Sequence, residues 1–279
     1  MTHARRVPVL MYHHVSPSPG MITTSPANFE RQLQWLKAKG FHTLTTDQFA
    51  GFLGGDAVPA RSLLITFDDG YLDNWVYAFP LLKKYGFRAT VFLVTSWVGE
   101  GDVRPCMGQA GLPETPEHKE CGRRIAAGRA DDAILRWSEV RCMREEGVFE
   151  FHSHTHTHTR WDIKDPDGRI ERMRQELALS RQSLCENLGY VSEHFCWPQG
   201  YTEPAYIDLA REAGFRYLYT TDAFGQNRAG ADPAHIYRFA VRNRGGGTLG
   251  QRILYASNPV VGPVFNRWKR WKRSLRKGK

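Results

Sequence analysis

The stretch Ser62-Leu63-Leu64-Ile65-Thr66-Phe67-Asp68-Asp69-Gly70 decides how the chain reads. It begins as a short apolar run, the pattern of a buried strand. It ends with two carboxylates side by side. Like charges that close resist joint ionisation unless a cation or strong donors hold them. Gly70 then lets the backbone turn sharply. In isolation, Asp68-Asp69-Gly70 reads as an ordinary turn with both carboxylates solvated. What alters that reading lies downstream, in Phe151-His152-Ser153-His154-Thr155-His156-Thr157-His158-Thr159.

Outward from this stretch, strand and helix candidates alternate. Residues 7–11, 42–45, 62–67, 89–94, 148–151, 194–197, 217–221 and 236–241 read as strands. A helix starts at Ser25-Pro26, with Ser25 as cap and Phe29, Leu33 and Leu36 at helical spacing. A second is capped by Thr46-Asp47 and runs to Leu53, and others cover 77–85, 137–146, 170–188 and 204–213. The alternation predicts an α/β fold with a parallel sheet, either doubly wound or barrel-like. In both, functional groups collect at the carboxyl ends of the strands. Tyr12-His13-His14, Asp68-Asp69, the histidine run and Pro198-Gln199-Gly200 each follow a predicted strand. Residues 99–130 break the rhythm with several Gly and Pro and read as an inserted lid or loop.

A chain of 279 residues is long enough for a sizeable core. Its 41% hydrophobic and 24% charged residues argue against overall disorder. No apolar run has the length of a membrane span. No signal-peptide core with a cleavage site opens the sequence, so a cytoplasmic protein is expected. Cys106, Cys121, Cys142, Cys185 and Cys196 lack regular spacing, which suits reduced thiols. His118-Lys119-Glu120-Cys121 has the look of half a zinc site, with no second half in view.

His154 and His158 stand four apart. On a turn of helix that spacing puts two imidazoles on one face, able to share an ion, and Asp69 would add a carboxylate. Two histidines and one carboxylate leave positions open for water and substrate. In a strand, by contrast, His152, His154, His156 and His158 would all face one side, so the residues alone do not select the pair.

At these motifs the chain resembles the polysaccharide deacetylase family, also known as the NodB-homology domain or carbohydrate esterase family 4. Thr66-Phe67-Asp68-Asp69-Gly70 matches its first motif, and His154 with His158 its His-x-x-x-His motif. Pro8-Val9-Leu10-Met11-Tyr12-His13-His14-Val15 and Arg136-Trp137-Ser138-Glu139-Val140 also resemble family members. The resemblance implies a distorted (β/α) barrel and a divalent metal, commonly zinc. It implies removal of acetyl groups from N-acetylated sugars of a cell-envelope polysaccharide or lipid-linked saccharide. O-deacetylation, deformylation and a degenerate glycan- or membrane-binding role remain open alternatives. The implied metal ligands are Asp69, His154 and His158, with Asp68 as general base and a backbone N–H near Gln199 as oxyanion donor. The implied catalytic domain spans residues 1–257, with the insertion at 99–130, followed by a tail at 258–279.

Two departures from the family pattern stand out. The motif Arg-x-Pro-Tyr/Phe-Gly is here Cys196-Trp197-Pro198-Gln199-Gly200, so the arginine that orients the base is missing, and Arg238 is a candidate replacement. The late Leu-x-His that supplies the general acid is also absent. A permuted branch, resembling poly-N-acetylglucosamine deacetylases, draws this histidine from an N-terminal Tyr-His motif. Tyr12-His13-His14 fits that pattern and makes His13 the expected acid, with His14 and His235 as alternatives. Tyr12 and Trp197 are assigned with Gln199 to the substrate site. Trp137, Trp161 and Trp197 are candidates for a sugar-facing wall, since aromatic faces suit pyranose rings.

The net charge of +9 sits mostly at the end of the chain. Arg267, Lys269, Arg270, Lys272, Arg273, Arg276, Lys277 and Lys279 supply eight of those charges and leave the body near +1. Phe265, Trp268 and Trp271 interleave with them. This pattern suits an anionic membrane surface. Nucleic acid is the competing partner for such a charge run and is not expected here.

Overall fold

The computed structural model describes residues 3–277, apart from the side chains of Arg270 and residues 272–277. The strands are β1 (Val9–Tyr12), β2 (His14–Val15), β3 (Thr23–Thr24), β4 (His42–Thr43), β5 (Ser62–Asp69), β6 (Ala89–Leu93), β7 (Phe149–Ser153), β8 (His194–Cys196), β9 (Tyr217–Tyr219) and β10 (Phe239–Ala240). The helices are α1 (Pro26–Ala38), α2 (Thr46–Gly54), α3 (Phe79–Tyr85), α4 (His118–Ala126), α5 (Trp137–Glu145), α6 (Trp161–Lys164), α7 (Arg169–Leu188), α8 (Pro204–Glu212), α9 (Gly246–Ser257) and α10 (Val261–Lys277).

The main sheet has the order β10-β1-β5-β6-β7-β8-β9, with β4 also paired to β5, and its pairings are parallel. It curls into a distorted barrel. The closing segment is 236–240: Ile236 bridges Tyr219 of β9, and Phe239 pairs with Leu10 of β1. Arg238 lies between those two contacts, and its guanidinium is fully buried in the barrel.

Strand alternation divides the core. Leu64, Phe92, Cys196, Tyr219 and Ile236 form an inner cluster with Phe49, Phe52 and Leu53 of α2. Leu63, Ile65 and Phe67 face outward and pack with Phe29, Leu33 and Leu36 of α1 in a second cluster. All three α1 side chains are fully buried. Each such burial contributes about 1.5–3 kcal/mol relative to exposure. The cap on α1 is as expected: Ser25 Oγ accepts from Asn28 N.

Several boundaries differ from the sequence reading. β5 continues through both aspartates, because Asp68 and Asp69 pair with Phe92 and Leu93 of β6. The cap of α2 is Thr45, in a reciprocal box with Gln48. The insertion is not a loose lid. It contains α4, and Arg104 fastens it to the fully buried Glu139 through two bonds of 2.7 Å. α9 was not anticipated; its Leu249 and Ile253 are buried in the α1 cluster. The tail forms α10, which folds back on α9: Tyr255 and Phe265 stack with centroids 4.1 Å apart. A Cβ at Gly262 would overlap the Tyr255 carbonyl oxygen, so a glycine permits that close approach. Lys279 and the side chains of Arg270, Lys272, Arg273, Arg276 and Lys277 lie outside the described residues.

Candidate metal and catalytic site

Asp68 and Asp69 are neighbours on a strand, where side chains ordinarily point to opposite faces. Asp69 adopts φ 78°, which ends the pleat and brings its carboxylate to the barrel mouth. Gly70 follows at φ 84°, and a Cβ there would meet Leu93 Cδ2 at 2.6 Å. Thr155, His158 and Gln199 also have positive φ; apart from Arg61, all such non-glycine residues described are Asp69 and these three. Backbone strain of this kind costs about 1–3 kcal/mol per residue and collects at functional sites.

The histidine run is neither a helix nor a continuing strand. β7 ends at Ser153, and the chain then bends through left-handed Thr155 and His158. Its four imidazoles therefore separate. His152 stays inside the barrel, bonded to Thr46 Oγ1 at 3.0 Å and Ser192 Oγ at 2.5 Å. His156 turns to Thr95 Oγ1 at 2.9 Å. His154 and His158 each bring Nε2 to 3.5 Å from Asp69 Oδ1. The buried carboxylate of Glu176 on α7 fixes the bend, accepting from His156 N at 2.8 Å, Thr157 N at 2.7 Å and Trp161 Nε1 at 3.2 Å.

Asp69 Oδ1 is buried and has no hydrogen-bond partner. A buried acceptor left bare costs free energy unless something completes it. Two ligands each about 2.0–2.1 Å from a tetrahedral ion lie roughly 3.4 Å apart. The observed 3.5 Å separations therefore fit a small divalent ion held by Asp69, His154 and His158. His154 Nδ1 donates to the Cys196 carbonyl at 2.8 Å, which leaves Nε2 with its lone pair toward Asp69. Burial pushes the His154 pKa down to about 4, so the ring is neutral at pH 7, as a ligand must be. Burial alone would raise Asp69, but His158, His13 and His154 together hold it below the usual carboxylate range.

Asp68 is surrounded differently. Arg238 Nη1 donates to Oδ1 at 2.6 Å and Nη2 to Oδ2 at 2.8 Å. Burial opposes ionisation of Asp68, yet Arg238, with His154 and His13, keeps its pKa lowered. Arg238 Nη2 also lies 2.9 Å from Cys196 Sγ. Cys196 is the position where the family motif carries its arginine, so a guanidinium from the closing segment fills the space that the small cysteine leaves. Cys196 with Asp68 and His154 forms a second group near enough to share an ion. The guanidinium already on Asp68 disfavours a cation there, which leaves the Asp69 group as the better site.

His13 Nε2 stands 3.9 Å from Asp68 Oδ2, across the mouth. His14 is buried against Asp73 at 2.6 Å, and His235 pairs with Asp222 at 3.3 Å in the β9–β10 connection. Among the three candidate acids, His13 faces Asp68. Gln199, in the turn after β8, takes Arg160 Nη1 on its side-chain oxygen at 3.2 Å.

Other expected site residues lie elsewhere. Tyr12 is buried between Phe29 and Phe67, with its hydroxyl on Gln32, because β1 alternation turns it into the outer core. Trp197 is fully buried against Phe195 and Tyr206, turned away from Cys196 on the barrel side. Neither can touch a substrate, and Trp137 is likewise core. Trp161 carries Lys164 and Arg172 over its ring. The half-buried Trp97, 5.6 Å from the His158 ring, is an aromatic beside the ligand cluster that sequence reading missed. The half zinc site does not form: Cys121 Sγ is buried on Pro116 O, while His118 turns to His14 and Tyr71.

A distorted parallel barrel with an acid–histidine cluster at the carboxyl ends of its strands is the architecture of the NodB-homology class. Residues 55–218, more than half of the sequence, match the polysaccharide deacetylase family model, and the chain belongs to that family. The Bacillus subtilis (strain 168) protein YxkH, described by the same family name, is 41% identical over 95 residues, 34% of each chain. The poly-beta-1,6-N-acetyl-D-glucosamine N-deacetylase of Staphylococcus aureus (strain N315) is 25% identical over 206 residues, 72% of this chain and 61% of that protein. The chain thus spans less than two thirds of the length of these curated relatives. The structure of IcaB from Ammonifex degensii superposes with TM-score 0.67 at 25% identity, over 86% of this chain and 94% of that one. The Streptococcus pyogenes deacetylase PplD shares the fold with TM-score 0.70 at 22% identity, over 92% of this chain and all of that one.

Proposed function

We propose that the chain is a metal-dependent N-deacetylase acting on an N-acetylated saccharide of the cell envelope. The observation that carries this reading is the bare, buried Oδ1 of Asp69 between two histidine nitrogens, beside an aspartate that Arg238 already satisfies. Asp69, His154 and His158 would hold the ion, and their nitrogen and carboxylate donors suit zinc. When bound, the ion supplies a Lewis acid for the amide carbonyl and lowers the pKa of water. Asp68 accepts the proton of the attacking water. Arg238 orients that carboxylate and keeps it ionised, at some cost in basicity. His13, across the mouth, donates a proton to the departing nitrogen. The Gln199 N–H, on its left-handed turn, donates to the developing oxyanion. The test is metal analysis together with acetate and free-amine detection on N-acetylglucosamine oligomers and lipid-linked N-acetyl sugars. A metal-loaded protein that releases acetate from none of them overturns the reading.

We further propose that α10 seats the protein on an anionic membrane, at the cytoplasmic face, where a lipid-linked saccharide would be within reach. No helix among the described residues is long and apolar enough to cross a bilayer. Val261, Val264, Trp268 and Trp271 are exposed at helical spacing and form one stripe, while Phe265 packs on α9. Arg267, Lys269 and Arg270 flank the stripe in sequence. An apolar stripe with tryptophans and flanking cations suits an interfacial helix, and each basic residue near an anionic surface contributes about 1 kcal/mol. Flotation with anionic liposomes tests this: binding should be lost with neutral liposomes and on replacing Val264, Trp268 and Trp271 by serine.

A further inference from the structure

Beside the acid–histidine cluster lies a second polar chain that the mechanism above does not use. Asp73, buried in the turn after β5, accepts from Val15 N at 2.8 Å and holds His14 Nδ1 at 2.6 Å. The His14 ring stacks on Tyr71 at 3.8 Å between centroids. His14 Nε2 meets His118 Nδ1 at 3.2 Å, and the same His118 nitrogen lies 3.2 Å from the Tyr71 hydroxyl. Three separate parts of the chain converge here: β2, the turn after Gly70, and the first residue of α4 in the insertion.

The hydrogens follow from the partners. A carboxylate only accepts, so His14 Nδ1 carries hydrogen. With that hydrogen on Nδ1, the imidazole form of His14 presents Nε2 as an acceptor, and His118 Nδ1 donates to it. That leaves the lone pair of His118 on Nε2, the ring nitrogen not engaged with His14 or Tyr71. His118 is half-buried, on the insertion wall, near enough to Asp69 and His13 for both to act on it electrostatically. Burial and His14 both lower its pKa, which favours the neutral ring. A fixed acceptor of this kind matches what a sugar offers in abundance, a hydroxyl donor.

We propose that His118 is a substrate-contacting residue whose Nε2 accepts a hydrogen bond from a hydroxyl of the bound saccharide, with Asp73 and His14 setting its tautomer. This deepens the deacetylase reading and rests on it for the substrate class. The insertion thereby becomes one wall of the saccharide site, and Arg104–Glu139 is what keeps that wall in place.

The test separates binding from turnover. Binding of an N-acetylglucosamine oligomer is measured by calorimetry on the metal-loaded Asp68→Asn protein, then on the same protein carrying His118→Ala or His118→Gln. The Ala variant should bind about tenfold more weakly, and Gln, whose side-chain oxygen can stand near the Nε2 position, should recover most of that loss. In the catalytically intact background, His118→Ala should raise KM with little change in kcat. Equal binding by all three proteins overturns the proposal. So does an equal loss in Ala and Gln with a lowered Tm, since His118 would then act only by holding the insertion. If the intact protein binds oligomer yet releases no acetate, the deacetylase reading fails while the His118 contact stands on the binding data alone.

Discussion

Asp68 and Asp69 share a strand end and a residue type, yet the two sides of the site treat them in opposite ways. On the barrel side, Asp68 is closed off by two bonds from Arg238, with Cys196 against the same guanidinium. On the mouth side, Asp69 has a bare oxygen facing His154 and His158. The barrel side is complete without any added group, whereas the mouth side leaves a buried carboxylate oxygen without a hydrogen-bond partner between two histidine nitrogens. Adjacent identical residues thus acquire different chemistry from what folds against them, not from their own sequence context.

The most forceful way to break this contrast is to neutralise each acid in turn. Asp69→Asn should lower metal affinity by more than about 100-fold, beyond the loss typical of outer-shell changes, and abolish turnover. Asp68→Asn should keep the metal and still lose about 10²–10⁴ in kcat. Metal analysis alongside kinetics distinguishes them; equal metal loss in both would erase the distinction.

Next comes the barrel side. Arg238→Met leaves a buried carboxylate unpaired and should destabilise the fold by about 3–5 kcal/mol in denaturant titrations. With Arg238 gone, only His154 and His13 oppose burial, so the Asp68 pKa rises and the acid limb of kcat/KM should move to higher pH. Adding Cys196→Arg, which restores the family position, should recover part of both losses. A double variant no better than Arg238→Met would mean that the two arginine positions are not interchangeable.

The mouth side depends on Glu176. Glu176→Gln weakens its hold on His156 N and Thr157 N and should reduce metal affinity about tenfold while leaving Asp68 and the acid limb unmoved. The last expectation concerns stability against pH in the metal-free protein. Burial pushes His152 down to about 3 and His154 down to about 4. The unfolded chain binds protons at these residues below about pH 6.5, while the folded chain leaves them neutral. Stability should therefore fall as pH drops from about 6.5 toward 4, by up to about 1.4 kcal/mol per unit for each histidine. His152→Phe should flatten that slope, and an unchanged slope would show that His152 is not buried neutral.

Much of this was legible before folding. Period-two and period-3.6 patterning is local, so most strands and α1, α5, α7 and α8 could be read to within a few residues. α9 and α4 could not, because each buries too few apolar side chains to mark a helical face, Leu249 and Ile253 in α9 and Cys121 in α4. Tyr12 and Trp197 were misplaced because a motif gives position along the chain, whereas the strand pleat decides which face each side chain meets. Glu176 and Asp73 have no local signature at all, and His118 carried only the misleading look of half a zinc site.

The sequence by itself determined the α/β alternation, the family motifs, and the short list Asp68, Asp69, His154, His158 and His13, since these are properties of residue type and spacing. Only the tertiary structure decided which histidines of the run converge, because left-handed turns at Thr155 and His158 override both simple periodicities. It alone placed Arg238 on Asp68, since that contact joins residues far apart in the chain and depends on how the barrel closes. Hydrogen bonding and burial act over ångströms in space, and the linear sequence does not encode those distances directly.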